Sequence, residues 1–185
     1  MIRIAREDDA PELLRIYAPA VRDSAASFET VVPSLEEMQR RVQANLETYP
    51  WLVDDDGGSL RGFAYASSYR IRQAYQWTVE VSIYVDQPYR RQGYGRSLYE
   101  RLFEVLRLQG FKTALAAVAV PNAPSQQLHE SMGFECVGVI PAVGYKHGAW
   151  RDLGWWLLRL EALRAGEPCP PTPFSEWRKR PGNEV

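Results

Sequence analysis

The chain has 185 residues, enough to bury the core of one domain and short for two independent ones. Apolar residues make up 45% and charged residues 24%, and 22 Lys and Arg against 23 Asp and Glu leave a net charge of -1, so there is no global basic field for nucleic acid. No window approaches the roughly 18 consecutive apolar residues of a membrane span, and the opening Met1-Ile2-Arg3-Ile4-Ala5-Arg6 lacks the apolar run of a secretory leader.

In chain order, residues 2–5 alternate as a short strand, and Asp8 or Asp9 is placed to cap a helix carrying Leu13, Leu14, Ile16, Tyr17 and Val21. A loop with Ser27-Phe28-Glu29 leads to a second helix, which Ser34 and Glu37 open with the spacing of a capping box. Trp51 to Val53 and Leu60 to Tyr65 flank Asp54-Asp55-Asp56-Gly57-Gly58, the pattern of a hairpin. The clearest alternation follows, with Trp77, Val79, Val81, Ile83 and Val85 on one face and Thr78, Glu80, Ser82 and Tyr84 on the other.

After Pro88 a glycine-bearing loop opens a helix with Leu98, Leu102, Val105 and Leu106 on one stripe, and Gly110 ends it. Phe111 to Val120 reads as a buried strand, and Asn122 starts a helix that stops at Gly133. Two last strands are expected at Phe134 to Ile140 and Leu153 to Leu160, with a long connection through Lys146, His147 and Trp150 between them. Trp150, Trp155 and Trp156 are expected in the core or at a subunit interface. Five prolines beyond Ala165 predict a loose or draped tail, so the chain divides into a domain at 1–165 and a tail at 166–185. Cys136 and Cys169 form neither a metal pair nor a disulfide framework, which suits a reducing, cytoplasmic compartment, and Cys136 is expected in the core.

The chemistry concentrates at Arg90-Arg91-Gln92-Gly93-Tyr94-Gly95-Arg96. Two glycines let the backbone approach a bulky anion, and the following helix aims its first N–H groups and positive dipole end at it, so pyrophosphate is the natural ligand. The pattern is weak alone. It gains weight from the strand before it and from Asn122-x-x-Ser125-x-x-Leu128-His129-x-x-x-Gly133-Phe134 after it.

On these two motifs the chain resembles the GNAT (Gcn5-related N-acetyltransferase) superfamily. Arg72-x-Ala74-Tyr75-x-Trp77-Thr78-x-Glu80, Pro121-Asn122-x-Pro124-Ser125 and Lys146-His147-Gly148-x-Trp150-x-Asp152 extend the likeness to the phosphinothricin and methionine sulfoximine N-acetyltransferases. The resemblance implies a mixed α+β fold, with a twisted, mostly antiparallel sheet flanked by helices. It further implies acetyl-CoA as co-substrate, a glutamate-like amino acid as acceptor, no metal, and a homodimer. It brings in the backbone of Ile83, Tyr84 and Val85, beside Asn122 and Ser125, as a second stretch of the acetyl-CoA site.

Acetyl transfer to an amine requires the amine to lose a proton, the thioester oxygen to be stabilised and the departing thiolate to gain a proton. Glu80 on the polar strand face is the candidate base. His129 stands where many relatives carry a tyrosine acid, and it is a candidate for the same role or for packing. Arg70 and Arg72, bracketing Ile71, are placed to clamp an acidic acceptor, with Phe28 and Tyr75 as pocket walls. Lys146 and His147 are candidates to line the pocket of the same or the partner subunit. Val81, where a small polar residue is expected, and the Arg70-Ile71-Arg72 run leave room for another acceptor amine, a protein N-terminus or a non-catalytic CoA sensor.

Overall fold

Strands that carry apolar side chains must cover them, and seven strands do so in a single sheet with helices on both faces. The computed structural model describes every residue except Arg164 and Glu184. The strands are β1 (Ile2–Ile4), β2 (Trp51–Asp55), β3 (Leu60–Ser68), β4 (Thr78–Val85), β5 (Thr113–Val120), β6 (Glu135–Lys146) and β7 (Ala149–Arg159), in the order β1-β2-β3-β4-β5-β7-β6. Every neighbouring pair is antiparallel except β4 with β5. That parallel step needs a crossover, and helix α3 (Tyr94–Gln109) supplies it.

Helices α1 (Ala10–Arg22) and α2 (Leu35–Asn45) bury Leu13, Ile16, Met38 and Val42 against Trp51, Val53 and Phe63 of the sheet. On the other face Leu98, Leu102 and Leu106 of α3 meet Leu52, Ala64, Val79 and Val81. Short α4 (Ala123–Ser131) lies on this second face, with its Leu128 packed against the same cluster. Alternation along β4 therefore sends Val79 and Val81 to the α3 side and Glu80, Ser82 and Tyr84 to the α1–α2 side.

Several local expectations are met differently. Asp9 is the N-cap of α1, but its carboxylate turns back to the preceding 3-10 turn, accepting from Arg6 N–H at 2.7 Å, and forms an ion pair with Arg3. Ser34 caps α2 by accepting from Glu37 N–H at 3.1 Å, while the Glu37 carboxylate turns outward to Arg41 instead of back to Ser34. The long connection near the C-terminus is strand: β6 and β7 run on to a two-residue turn at His147-Gly148, both at positive φ. Pro141 hides this from the sequence, because it sits in a bulge between Ile140 and Gly144 where no ladder bond is asked of it. β6 is an edge strand, so Cys136 is exposed, a correction to its expected place in the core. Trp156 is buried, while Trp150 is 64% exposed. In the tail, Pro173 starts α5 (Phe174–Trp177), and both Phe174 and Trp177 are buried in the cluster formed by α1 and α2.

Candidate active site

β4 and β5 share only three residue pairs, Thr78–Thr113, Val79–Ala114 and Glu80–Leu115. Beyond Glu80, β4 follows β3 as far as Val85, and β5 follows β7 as far as Val120. A V-shaped gap opens between them with Glu80 at its apex. Asp86 N–H donates to Arg61 O on β3, so alternation turns the Tyr84 amide to β3 and those of Ile83 and Val85 toward the gap. Tyr84 presents its ring instead, edge-on to Tyr17 at 4.9 Å.

At the open end of the V lies the loop before α3. Arg91 (φ 59) and Gly93 (φ 91) adopt left-handed conformations that turn successive N–H groups inward, and a side chain at Gly93 would meet no atom within 4 Å. Gly93 is the N-cap and brings no side-chain acceptor, so the amides of Tyr94, Gly95 and Arg96 in the first turn of α3 are left for a ligand. Gly95 is needed for a different reason: a Cβ there would sit 3.4 Å from both Leu128 and Val85, where α3 closes on α4 and β4. Side chains brace the loop. Arg90 Nε donates to Val85 O at 3.1 Å, Gln92 to Pro88 O at 2.7 Å, and Arg96 to Ser131 O at 3.3 Å, while Arg61 stacks over the Tyr94 ring. Asn122 caps α4 by accepting from Ser125 N–H at 3.4 Å.

On the α1–α2 side the Glu80 carboxylate is half-buried, and it takes no hydrogen bond or ion pair among the described residues. Burial pushes its pKa above the ordinary carboxylate value, as a proton acceptor for an amine requires. Two cavities reach β4 on either side of it, one at Tyr84 and one at Thr78, and Glu80 itself lines neither. One, of about 350 Å³, lies under α2 and is lined by Tyr17, Arg41, Trp51, Tyr65 and Tyr84. The other, of about 230 Å³, is lined by Arg70, Arg72, Tyr75, Thr78 and Thr172. Arg70 and Arg72 are exposed and have no carboxylate partner among the described residues; Arg70 lies 5.2 Å from the Tyr69 ring. Tyr69 packs edge-on between Tyr75 and Trp155, which joins this loop to β7 across the V. Ile71, at 98% exposure, stands on the rim of the smaller cavity, and Phe28 is half-exposed against Gly144 of β6.

An acetyltransferase (GNAT) domain model matches residues 2–155. The chain belongs to the GNAT acetyltransferase family. It is 37% identical to a phosphinothricin N-acetyltransferase of Streptomyces viridochromogenes over 93% of this chain and 91% of that one. It is 32% identical to an L-methionine sulfoximine/L-methionine sulfone acetyltransferase of Salmonella typhimurium, over 91% and 99%. Its structure superposes with a TM-score of 0.86 on a GNAT phosphinothricin acetyltransferase of Sinorhizobium meliloti in complex with acetyl-CoA, 33% identical, covering 91% of this chain and 92% of the other. The acyl donor of this GNAT enzyme is acetyl-CoA, and the glycine loop and the V suit an anionic, extended molecule of that kind. Among the described residues no cluster of His, Cys, Asp and Glu could hold a metal ion, and no helix is long and apolar enough to cross a membrane.

His129 of this acetyltransferase lies on α4, in its contact with α3. It is 3% exposed, ringed by Tyr99 and Phe134, and Nδ1 lies 2.7 Å from Ser125 O. A carbonyl only accepts, so Nδ1 carries the proton, and Nε2 accepts from Tyr99 OH at 3.0 Å. Burial pushes its pKa below the ordinary value, so the ring is neutral with both nitrogens engaged inside the α3–α4 contact. Tyr69, Trp155, Tyr17 and Tyr65 were not singled out for the site by sequence reasoning. Each lies on an element whose facing partner is distant in the chain, so spacing alone carries no sign of them.

Proposed function

We propose that this chain moves the acetyl group of acetyl-CoA to the α-amine of a small, glutamate-like amino acid of the phosphinothricin, methionine sulfoximine or methionine sulfone type. The observation that carries the reading is Glu80, a partly desolvated carboxylate with no partner among the described residues, at the apex of the V where donor and acceptor meet. In this reading Glu80 takes the amine proton, directly or through water, and the Ile83 and Val85 amides hold the donor's arm and polarise its carbonyl. Gln92 to Arg96 cradle the phosphates, with Arg90 and Arg91 beside them and Asn122 and Ser125 shaping the far wall. Arg70 and Arg72 recognise the acidic groups of the acceptor, and Phe28 and Tyr75 bound its body. Arginines without carboxylate partners disfavour a cationic acceptor. His129 holds α4 in place. The reading is tested by incubating the protein with acetyl-CoA and a panel of glutamate analogues while following free thiol. Turnover with acidic amino acids and none with polyamines is expected; the reverse order, or no thiol release with any acceptor, overturns it.

The quaternary state proposed is a homodimer working in the cytoplasm. Two exposed thiols with no disulfide suit a reducing compartment. The edge strand β6 and its neighbour expose Val137, Val139, Val143, Tyr145 and Trp150, an apolar surface that a second copy would cover.

A further inference from the structure

Lys146 ends β6, and it is buried to 5% exposure although it forms no ion pair among the described residues. A buried ammonium is costly unless its donors are used. Here they are used across the molecule: Nζ donates to Ser27 O at 2.6 Å and reaches Ala20 O at 3.4 Å, at the end of α1 and in the loop after it. Two neighbours on the hairpin point the same way. His147 Nε2 donates to Ser24 O at 3.2 Å, and Phe28 occupies the space over Gly144 so closely that a Cβ there would lie 2.5 Å from its ring.

The topology gives these contacts a meaning beyond packing. The α1–α2 loop belongs to the half of the molecule built on β1 to β4, and the hairpin belongs to the half built on β5, β7 and β6, while the ladder between the halves is three pairs long. Lys146, His147 and Gly144 therefore tie the halves together on the Glu80 face of the sheet. The loop they hold also places Glu29, whose carboxylate meets Arg41 at 2.6 Å on the wall of the larger cavity, and Ser27, whose hydroxyl meets Tyr17 OH at 2.7 Å.

We propose that Lys146 is a positioning residue, whose ammonium holds the 23–29 loop, and with it Phe28 and Glu29, as a fixed wall of the acceptor cleft. This rests on the reading of Phe28 as an acceptor-side residue, and it makes Lys146 a determinant of acceptor binding that leaves the acetyl-CoA loop untouched.

The test combines hydrogen exchange with steady-state kinetics on the full chain. Lys146→Met keeps the unbranched side chain as far as its ε carbon and removes the ammonium. It is expected to speed amide exchange in residues 23–29 by about tenfold with β4 and α3 unchanged. It is also expected to raise KM for methionine sulfone about tenfold while KM for acetyl-CoA stays within about twofold. Lys146→Arg, which retains a cation with several donors, is expected to restore both. If Lys146→Met does not fold, Gly144→Ala presses first on the Phe28 ring and is expected to give the same split in KM. Unchanged exchange in 23–29, or equal rises in KM for both substrates, overturns the proposal. Should the wild-type protein acetylate no amino acid, the proposed acceptor class fails by itself, and the exchange result still decides whether Lys146 holds the loop.

Discussion

Glu80 carries two consequences that separate a catalytic carboxylate from a decorative one. As a base it must be ionised, and burial raises its pKa, so kcat/KM is expected to fall on the acid side about a midpoint above the usual carboxylate value of 4.5. The same shift acts on stability. The folded chain binds this proton more tightly than the unfolded chain, so ionising Glu80 works against the fold. That cost is full above the folded pKa and disappears as pH drops below the unfolded one. Glu80→Gln is therefore expected to lose about 10²–10⁴-fold in kcat, while its melting temperature at neutral pH rises. A variant that is both inactive and less stable would argue for a structural glutamate. Glu80 was legible because alternation along β4 is strict and its polar face carries a single charged residue. The engagement of His129 was not, since Tyr99 and Ser125 approach it from a different helix and from one turn earlier, and the sequence shows only a histidine at a familiar spacing.

The elements best read from sequence are those whose signals lie within one turn. Gly93, Asn122 and Gly110 each mark a helix end through local backbone chemistry, and α3 and α4 begin and stop near the positions expected. Gly93 in its left-handed conformation is also the place to test the acetyl-CoA loop. Gly93→Ala meets no steric obstacle, but it places a Cβ at φ 91, a cost of roughly 1–2 kcal/mol that the loop relieves by turning its amides. The expected outcome is about a tenfold rise in KM for acetyl-CoA with the acceptor KM unchanged, measured by thiol release. Equal effects on both substrates would mean that the loop does not serve the donor alone. The β6–β7 hairpin was misread for the opposite reason. A proline inside a bulge and a left-handed His147 look like loop to any local reading, and only the ladder to Trp150 through Leu157 reveals strand.

At the scale of the molecule, a reading of single residues has least purchase, because the V is made by what two strands fail to do. Nothing in the β4 or β5 sequence announces that their pairing stops at Glu80 and Leu115, beyond which β4 keeps only β3 and β5 keeps only β7. The outer edge is as non-local. Val139→Glu, on the exposed apolar side of β6, is expected to convert the proposed dimer into a monomer by light scattering with little change in melting temperature. A monomeric wild type would remove the homodimer from the description. The short ladder between β4 and β5 has one more implication. Donors that line the gap belong to the main chain, and every amino acid but proline supplies one, so point mutation has little grip on them. With the gap as the proposed donor site, side chains around the acceptor can change while the donor's hold stays intact, which leaves this scaffold free to change what it acetylates without first relearning how to hold its acetyl group.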